Sequence, residues 1–203
     1  MLISPILKRR HPARVEHHEV DVDLFEELLE QSERLLAQGQ ATSHQADLRR
    51  AVSSAYYALF HFAIQECCGS LLGAAQKGQP LWIILSRAFV HDDMRNTSKT
   101  FASTKLPAYM DQHFREIPAR LKEFAETFVD LQEKRHTADY DLSISFNAGF
   151  VEPLVKSARE VIEHWSGVRS HPTTKLYLLL LLNGKQIRSK KFATQPSGSS
   201  QTS

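Results

Sequence analysis

The sequence predicts an all-α protein, an antiparallel bundle of four to five helices. The first observation is that apolar residues recur at intervals of three and four along several long segments. The second is that no segment before residue 168 alternates apolar and polar residues as a strand does. The composition agrees, because 42% hydrophobic and 24% charged residues in a chain of 203 are ordinary for a globular domain.

Start signals and apolar faces predict the first two helices. One helix begins after Asp23, which forms a capping-box pattern with Glu26. The next begins between Thr42 and Gln45 and extends over residues 48–72. This second helix is apolar on most of its sides, which is typical of the central and most buried helix of a bundle.

Later helices are marked by prolines and an asparagine. Pro80 fits the first turn of a third helix that extends to about Asp93. Residues 96–107 are rich in Ser and Thr and are predicted to form a long connection with room for one extra turn. Pro118 opens a fourth helix, and Asn147 caps a fifth.

The C-terminal part is basic and contains a run of leucines. Residues 168–203 hold six Lys or Arg and no acidic residue, whereas residues 1–167 hold 19 basic and 23 acidic residues. The run over residues 176–182 fits either a hairpin arm, with a type I′ turn at Asn183-Gly184, or a short helix closed by Gly184. The helix is favoured because leucine is a strong helix former. Such an apolar segment has to dock on the bundle or on a second subunit.

These features divide the chain into four parts. The bundle is the folded part, and polar or basic segments flank it. The N-terminal cluster of Lys, Arg and His indicates a mobile basic arm, and residues 193–203 are mostly Ser, Gln and Thr, which indicates disorder. In order, the parts are a flexible basic N-terminal arm (residues 1–19), the helical bundle (20–167), a basic Leu-rich extension (168–192) and a disordered tail (193–203).

Cysteine content and motif content restrict the setting and the chemistry. The only cysteines, Cys67 and Cys68, are adjacent and suggest neither a disulfide framework nor a CxxC pair. A reducing, cytoplasmic setting therefore fits best. The longest apolar run, residues 176–182, is too short to span a bilayer, so no membrane partner is expected. No HExxH, paired Cys–His or EF-hand motif is present, so we expect neither a metal nor another cofactor.

The most informative position in the sequence is Arg135. The apolar face of the fourth helix ends at Leu131, and the next position on that face is Arg135. Because an unpaired buried guanidinium is costly, Arg135 has to be paired or to line a cleft. Asp139, four residues later, is placed to form an ion pair with it at the end of the helix. The apolar face comprises Ile117, Leu121, Phe124, Phe128 and Leu131.

Three segments of the chain together resemble the HEPN domain family (higher eukaryotes and prokaryotes nucleotide-binding). They are LRRAVSSAYYALFHFAIQE on the second helix, SRAFVHDDM after the third and LQEKRHTADYDL after the fourth. The resemblance covers about residues 20–190 in the same order. It is closest to a bacterial branch with an AYYALFH helix, an Arg-containing segment that ends in ADYD, and a Leu-rich basic extension. It implies a HEPN-like bundle that forms a homodimer.

The resemblance also implies two alternative functions. Many HEPN proteins are metal-independent endoribonucleases of toxin–antitoxin or defence systems, so the chain would cleave RNA or bind RNA or a nucleotide. Other members have lost this activity, so the chain would instead be a non-catalytic dimerisation or adaptor module. The partners that the resemblance implies are a second copy, RNA or a nucleotide, and an antitoxin or a nucleotidyltransferase.

The candidate site departs from the pattern of active HEPN proteins at its histidine. In those proteins a His follows the Arg after four to six residues, where this chain has Tyr140, Asp141 and Leu142. Cleavage by the 2′-hydroxyl of RNA requires a base and a cation at the phosphate. A tyrosine is a poor base at neutral pH. The candidate catalytic residues are Arg135, His136, Asp139, Tyr140 and His91, and the candidate nucleic-acid-binding residues are Arg49, Arg50 and Arg87.

Each candidate also has a purely structural interpretation, which the sequence leaves open. Tyr140 would be a packed aromatic residue with a hydrogen-bonded hydroxyl, and His91 a cap or a surface residue. Arg49 and Arg50 lie at a helix start, where the dipole disfavours cations, so they need a carboxylate or an external anion. His61 would be a core histidine.

Overall fold

The computed structural model describes residues 23–103, 105–114 and 116–189. These residues form helices and contain no strand, which confirms the all-α bundle. The predicted arm (1–19) and tail (193–203) lie outside the described residues. The helices are α1 (Leu24–Thr42), α2 (Gln45–Leu72), α3 (Pro80–Ser86), α4 (His91–Ala102), α5 (Ala108–Asp111), α6 (Ala119–Tyr140), α7 (Ala148–Glu163) and α8 (Pro172–Ser189), with 3₁₀ turns at Ala74–Gln76 and His164–Gly167.

α2 is the central helix, as its apolar character predicts. It packs against α1, α6, α7 and α8, and its side chains are buried on most sides. α1 and α2 approach so closely that a Cβ atom on Gly39 would lie 2.6 Å from Cδ2 of Leu48. Glycine at this position therefore allows the two helices to meet just before the turn that joins them.

The apolar face of α6 is buried as the spacing predicts. Its four residues from Leu121 to Leu131 are fully buried, and they share one core with α2 and α7. On α7 the inward residues are Val151, Val155, Ala158 and Val161. Leu154 was expected among them, but it lies at the edge of this face and is only partly buried.

The predicted third helix is in fact divided into two. α3 ends at Ser86, and Val90 has an extended backbone (φ −117°, ψ 126°). A separate helix then starts at His91, whereas the sequence predicted one continuous helix as far as about Asp93. The break lets the side chain of Phe89 turn into the core. The bundle therefore has more helices than the four to five predicted, because segments predicted as connections are helical too.

The prediction of a connection over residues 96–107 is wrong as far as Ala102. This segment is the second half of α4, and its Thr97 and Ser98 are buried. Thr97 donates a hydrogen bond to the carbonyl of Leu180 (3.1 Å), and Ser98 is hydrogen bonded to the Tyr177 hydroxyl (2.9 Å). The Ser and Thr content suggested a loop, because the partners that satisfy these side chains within the core lie on α8, far away in sequence.

Asp23 starts α1 without capping it through its side chain, so the predicted capping box is wrong. The carboxylate instead accepts a hydrogen bond from Nε2 of Gln65 (2.7 Å) and pairs with Lys77. The start of the helix is nevertheless where the sequence places it.

The Leu-rich segment is a helix, as favoured over the hairpin arm. Gly184 does not close it, because the helix continues to Ser189 and Gly184 is buried within it. α8 packs on α4 and α2, and of its leucines Leu179 is the one with a large exposed fraction, 44%. Within the predicted extension over residues 168–192, Val168, Tyr177, Leu178, Leu180 and Leu181 thus belong to the core of the bundle. No helix within the described ranges is long and apolar enough to cross a membrane.

Candidate functional site

Arg135 lies on α6, one turn beyond Leu131, and faces α2. Its side chain is 22% exposed, and Nε lies 2.7 Å from Oδ2 of Asp139. The Nε–H bond does not point at that oxygen, so the contact is an ion pair rather than an aligned hydrogen bond. Nη2 donates a hydrogen bond to the hydroxyl of Tyr57 (2.8 Å). The ion pair between Arg135 and Asp139 that their spacing predicts is therefore confirmed.

Three tyrosine rings surround the guanidinium of Arg135. Its Cζ lies 5.3 Å from the ring centroid of Tyr57 and 5.9 Å from those of Tyr56 and Tyr140. These distances are within the range of cation–π attraction. The AYYA segment of α2 and the ADYD segment of α6 therefore meet around one side chain. Within the described part of the chain, Nη1 of Arg135 makes no hydrogen bond.

Asp139 links α6 to α2. One of its oxygens faces Arg135, and the other, Oδ1, accepts a hydrogen bond from the hydroxyl of Ser53 (2.6 Å). Both oxygens are thus engaged within one subunit. This arrangement balances the charge of Arg135 locally, which offsets part of the cost of burying it.

His91 lies beside this cluster at the start of α4. Its Nδ1 is 2.6 Å from the hydroxyl of Tyr56, and its ring stacks on Phe60 with a centroid distance of 4.0 Å. Tyr56 is fully buried, and burial raises its pKa far above the usual value of about 10. Its hydroxyl therefore keeps its proton, and it shares one hydrogen bond with Nδ1 of His91 in which either atom can be the donor.

The electrostatic surroundings keep His91 neutral. Burial lowers its pKa, and the positive charge of Arg135 lowers the pKa further. In the neutral imidazole one ring nitrogen carries the proton and the other accepts, and Nδ1 is engaged by the Tyr56 hydroxyl. Only Nε2 of His91 is therefore left for a contact outside this pair.

Tyr140 adjoins Arg135 through its ring, whereas His136 points to another side of α6. α6 remains helical to Tyr140, so adjacent residues point about 100° apart around it. Tyr140 is 66% exposed and lies against the ring of His136 at 5.0 Å. The interpretation of Tyr140 as a packed aromatic residue is therefore wrong, because it lies just beyond the part of α6 that α2 covers. His136 borders a cavity of about 360 Å³ with Asp92, Arg95, Gln132 and Glu133.

Arg49 has a structural role that the sequence left open. Its guanidinium donates hydrogen bonds to the carbonyl oxygens of Ala138 (2.7 Å), Asp141 (2.9 Å) and Ile144 (2.5 Å), and it lies over the ring of Phe146. These carbonyls belong to the last turn of α6 and the segment that follows it. The anionic partner that Arg49 requires is thus the negative end of a helix.

The other predicted residues lie apart from this arrangement. Arg50 and Arg87 are exposed, and neither forms an ion pair with a residue in the described ranges. His61 is half-buried, its ring meets the edge of Phe60, and burial lowers its pKa. It is therefore neutral at pH 7, but it lies at the edge of the core and not within it as the sequence analysis expected.

The sequence analysis missed Ser53 and Tyr57 as members of the cluster. The signal was present: Arg49, Ser53 and Tyr57 follow one another at intervals of four on α2. This polar line on a mostly apolar helix faces the polar end of α6, where Arg135 and Asp139 have the same spacing. We call the contact of these five residues the polar seam.

No protein-family model, curated protein or solved structure matches this chain. The HEPN resemblance of the three segments therefore stays a prediction. Within the described ranges, no group of three or more His, Cys, Asp or Glu is placed to hold a metal ion.

Proposed function

We propose that this chain is a HEPN-like, non-catalytic dimerisation or adaptor module, whose contact surface is the end of the bundle near Arg135. The observation that carries the proposal is the pairing of Arg135 with Asp139 and Tyr57 inside one subunit. A guanidinium used for catalysis has to meet the charge that develops on a phosphate. In this chain the positive charge of the Arg135 guanidinium is already balanced by Asp139 before any ligand binds.

The engagement of the titratable groups near Arg135 supports the same conclusion. Nδ1 of His91 is committed to its hydrogen bond with Tyr56, the His91 ring stacks on Phe60, and the hydroxyl of Tyr56 keeps its proton. His136 points to another side of α6. Abstraction of a proton from a 2′-hydroxyl requires an unprotonated group within hydrogen-bond reach.

The surface next to Arg135 has the character of a protein interface. Tyr140 is 66% exposed and Leu142 87% exposed, and Ile144 and Phe150 are also largely exposed. Arg49 ties this segment to α2 through backbone carbonyls, so the apolar side chains project from a fixed backbone. Protein interfaces are enriched in exposed aromatic side chains and Arg of this kind. We call residues 140–150 the apolar end.

A second copy of the chain is the partner that we propose for the apolar end. Most leucines of α8 pack on their own bundle. Of the two docking surfaces that the sequence allowed for this segment, a second subunit is therefore not needed. Of the exposed large apolar residues in the described part of the chain, four lie at the apolar end and three on α3, and the others are Leu24, Leu71, Val90 and Leu179. A twofold dimer brings the same patch of both copies together, so one patch covers the other.

The test measures mass by light scattering at micromolar concentration. Wild type is expected to be a dimer, and a Tyr140→Ser, Leu142→Ser double variant a monomer. Ile84→Ser is the matched control, because Ile84 is a comparably exposed residue (68%) on α3. A monomeric wild type, or dissociation caused by Ile84→Ser alone, would contradict the proposed surface.

RNA cleavage is the second candidate function, and one observation favours it. Arg135 keeps some exposure, and its Nη1 has no hydrogen-bond partner in the described part of the chain. Total RNA is incubated with wild type, Arg135→Ala and Arg135→Lys in EDTA, and thermal melts establish that the variants are folded. Cleavage by wild type that both folded variants lose would establish this function, because lysine cannot reproduce the two-pronged phosphate contact. It would overturn the non-catalytic proposal.

A further inference from the structure

A larger cavity lies away from Arg135, where the C-terminal end of α2 meets α3 and the start of α8. Its volume is about 510 Å³, within the range of small-molecule sites. None of its lining residues belongs to the polar seam or to the apolar end. Those used in the argument are Glu66, Gly69, Lys77, Trp82, Arg169 and Lys175.

The charges that line the cavity are mostly positive. Its carboxylate, Glu66, accepts hydrogen bonds from Nε1 of Trp165 (2.7 Å) and from Nε and Nη2 of Arg169 (2.8 and 2.6 Å). Glu66 is thus neutralised by Arg169 and has little capacity for a ligand. Lys77 pairs with Asp23, whereas Lys175 is exposed and forms no ion pair with any residue in the described ranges. Lys175 is therefore a cation available to an anion.

The backbone at the start of α8 restricts which groups of the cavity can bind an anion. The amides of Thr173, Thr174 and Lys175 are already bonded to the side chain or the carbonyl of His171. A ligand consequently receives only the dipole field of this helix and no free amide of that first turn. The anionic contact has to come from the side chain of Lys175, with Lys77 and Arg169 nearby.

Trp82 gives the cavity an apolar surface that suits a planar ring. Its indole Cη2 lies 3.9 Å from the point where a Cβ atom on Gly69 would lie, an ordinary van der Waals distance, so the ring lies against this part of α2. Trp82 is partly buried and packs against the core, which limits its motion. Indole rings bind other planar rings by stacking.

We propose that this cavity binds a small anion with a planar ring, of the chemical class of a nucleoside monophosphate. The ring stacks on Trp82 and the phosphate meets Lys175. A free nucleotide and the 5′-phosphorylated end of an RNA strand present the same chemistry. The proposal is independent of the function proposed above, because the two share no residue.

Intrinsic fluorescence provides the assay. The chain has two tryptophans, and Trp165 is buried, so a ligand in the cavity quenches chiefly Trp82. Full-length protein titrated with adenosine 5′-monophosphate is expected to show saturable quenching, which Trp82→Phe removes. Lys175→Ala is expected to weaken binding about tenfold or more, because it removes the phosphate contact. Lys156→Ala is the control, since this exposed lysine on α7 does not line the cavity.

Further arms test the two halves of the ligand and separate its sources. Adenosine and inorganic phosphate are each expected to bind more weakly than the nucleotide. A 5′-phosphorylated oligoribonucleotide that binds more tightly than the free nucleotide identifies an RNA end, and the reverse order identifies the nucleotide. Absence of saturable quenching up to millimolar nucleotide would overturn the proposal. Equal affinity of Lys175→Ala and Lys156→Ala, or binding of adenosine as tight as that of the nucleotide, would overturn it too.

Discussion

Replacing Arg49 with alanine should destabilise the protein by about 2–4 kcal/mol. Its guanidinium donates to three carbonyl oxygens, at 2.5–2.9 Å, at the end of α6 and just beyond it. A hydrogen bond to a charged group contributes about 1.5–3 kcal/mol, and a cation at a helix C-terminus adds about 0.3–1 kcal/mol. The three bonds share one donor group and are not additive. In Arg49→Ala, only the carbonyl of Ala138 lies in a buried residue where water does not replace the lost bond. The loss of unfolding free energy is therefore closer to one such hydrogen bond plus a fraction of the other two.

Arg50→Ala is the matched control for this substitution. Arg50 is the next residue on the same helix, carries the same charge and is exposed without an ion pair to the described residues. Urea denaturation followed by circular dichroism gives the free energy of unfolding of both variants. In a thermal melt the expected difference corresponds to roughly 5–15 °C for a domain of this size. Arg49→Lys should fall between the two, because an ammonium cannot reach three separate carbonyls.

The result that refutes this reasoning is equal stability. If Arg49→Ala and Arg50→Ala differ by less than about 0.5 kcal/mol, the carbonyls of α6 find water or other donors at no cost. A further consequence concerns the apolar end, whose backbone Arg49 holds at Asp141 and Ile144. If that segment forms the dimer contact, Arg49→Ala should weaken self-association and Arg50→Ala should not.

Two further predictions concern the core and the response to pH. Leu131→Ala should lower the free energy of unfolding, measured by urea denaturation, by about 2–5 kcal/mol because Leu131 is fully buried. Leu142→Ala, at an exposed position, should lower it by less than about 0.5 kcal/mol. Similar losses in the two variants would show that the face of α6 is misassigned. The pKa of His91 is lowered on folding, so the unfolded chain binds the proton more readily and stability should fall as pH drops below about 6.5. Melting temperatures at pH 7.5 and 5 should therefore differ less in His91→Gln than in wild type, and least in a double variant with His61→Gln; an unchanged pH dependence would contradict the assignment.

Those parts of the fold that local patterns encode could be predicted. The faces of α2, α6 and α7 repeat every three or four residues, and Asn147 accepts the amide hydrogen bond of Phe150 as a cap should. The second half of α4 could not be predicted in this way. Its buried Thr97 and Ser98 read as loop residues because the groups that satisfy them lie on α8, about 80 residues later. No window of the sequence contains both partners.

The same distinction applies to the candidate site. The ion pair of Arg135 with Asp139 is local, at a spacing of four, and the sequence predicts it. The contacts of Arg135 with Tyr57 and of Arg49 with the end of α6 join residues 78 to 95 positions apart. Backbone carbonyls at the end of a helix have no side-chain signature, so Arg49 could only be identified as a cation that lacked a partner.

The polar seam explains why charged residues remain on two faces that are otherwise apolar. An apolar contact between α2 and α6 would be at least as favourable in free energy, because burying charges is costly even when they are paired. Leu and Phe side chains also tolerate small shifts along a helix, whereas the bonds of Asp139 to Ser53 and of Arg135 to Tyr57 fit one alignment. That alignment fixes where α6 ends against α2, and thereby the position of the apolar end. The seam is therefore better understood as a device that positions the apolar end, the surface that we propose for a second copy, than as a source of stability.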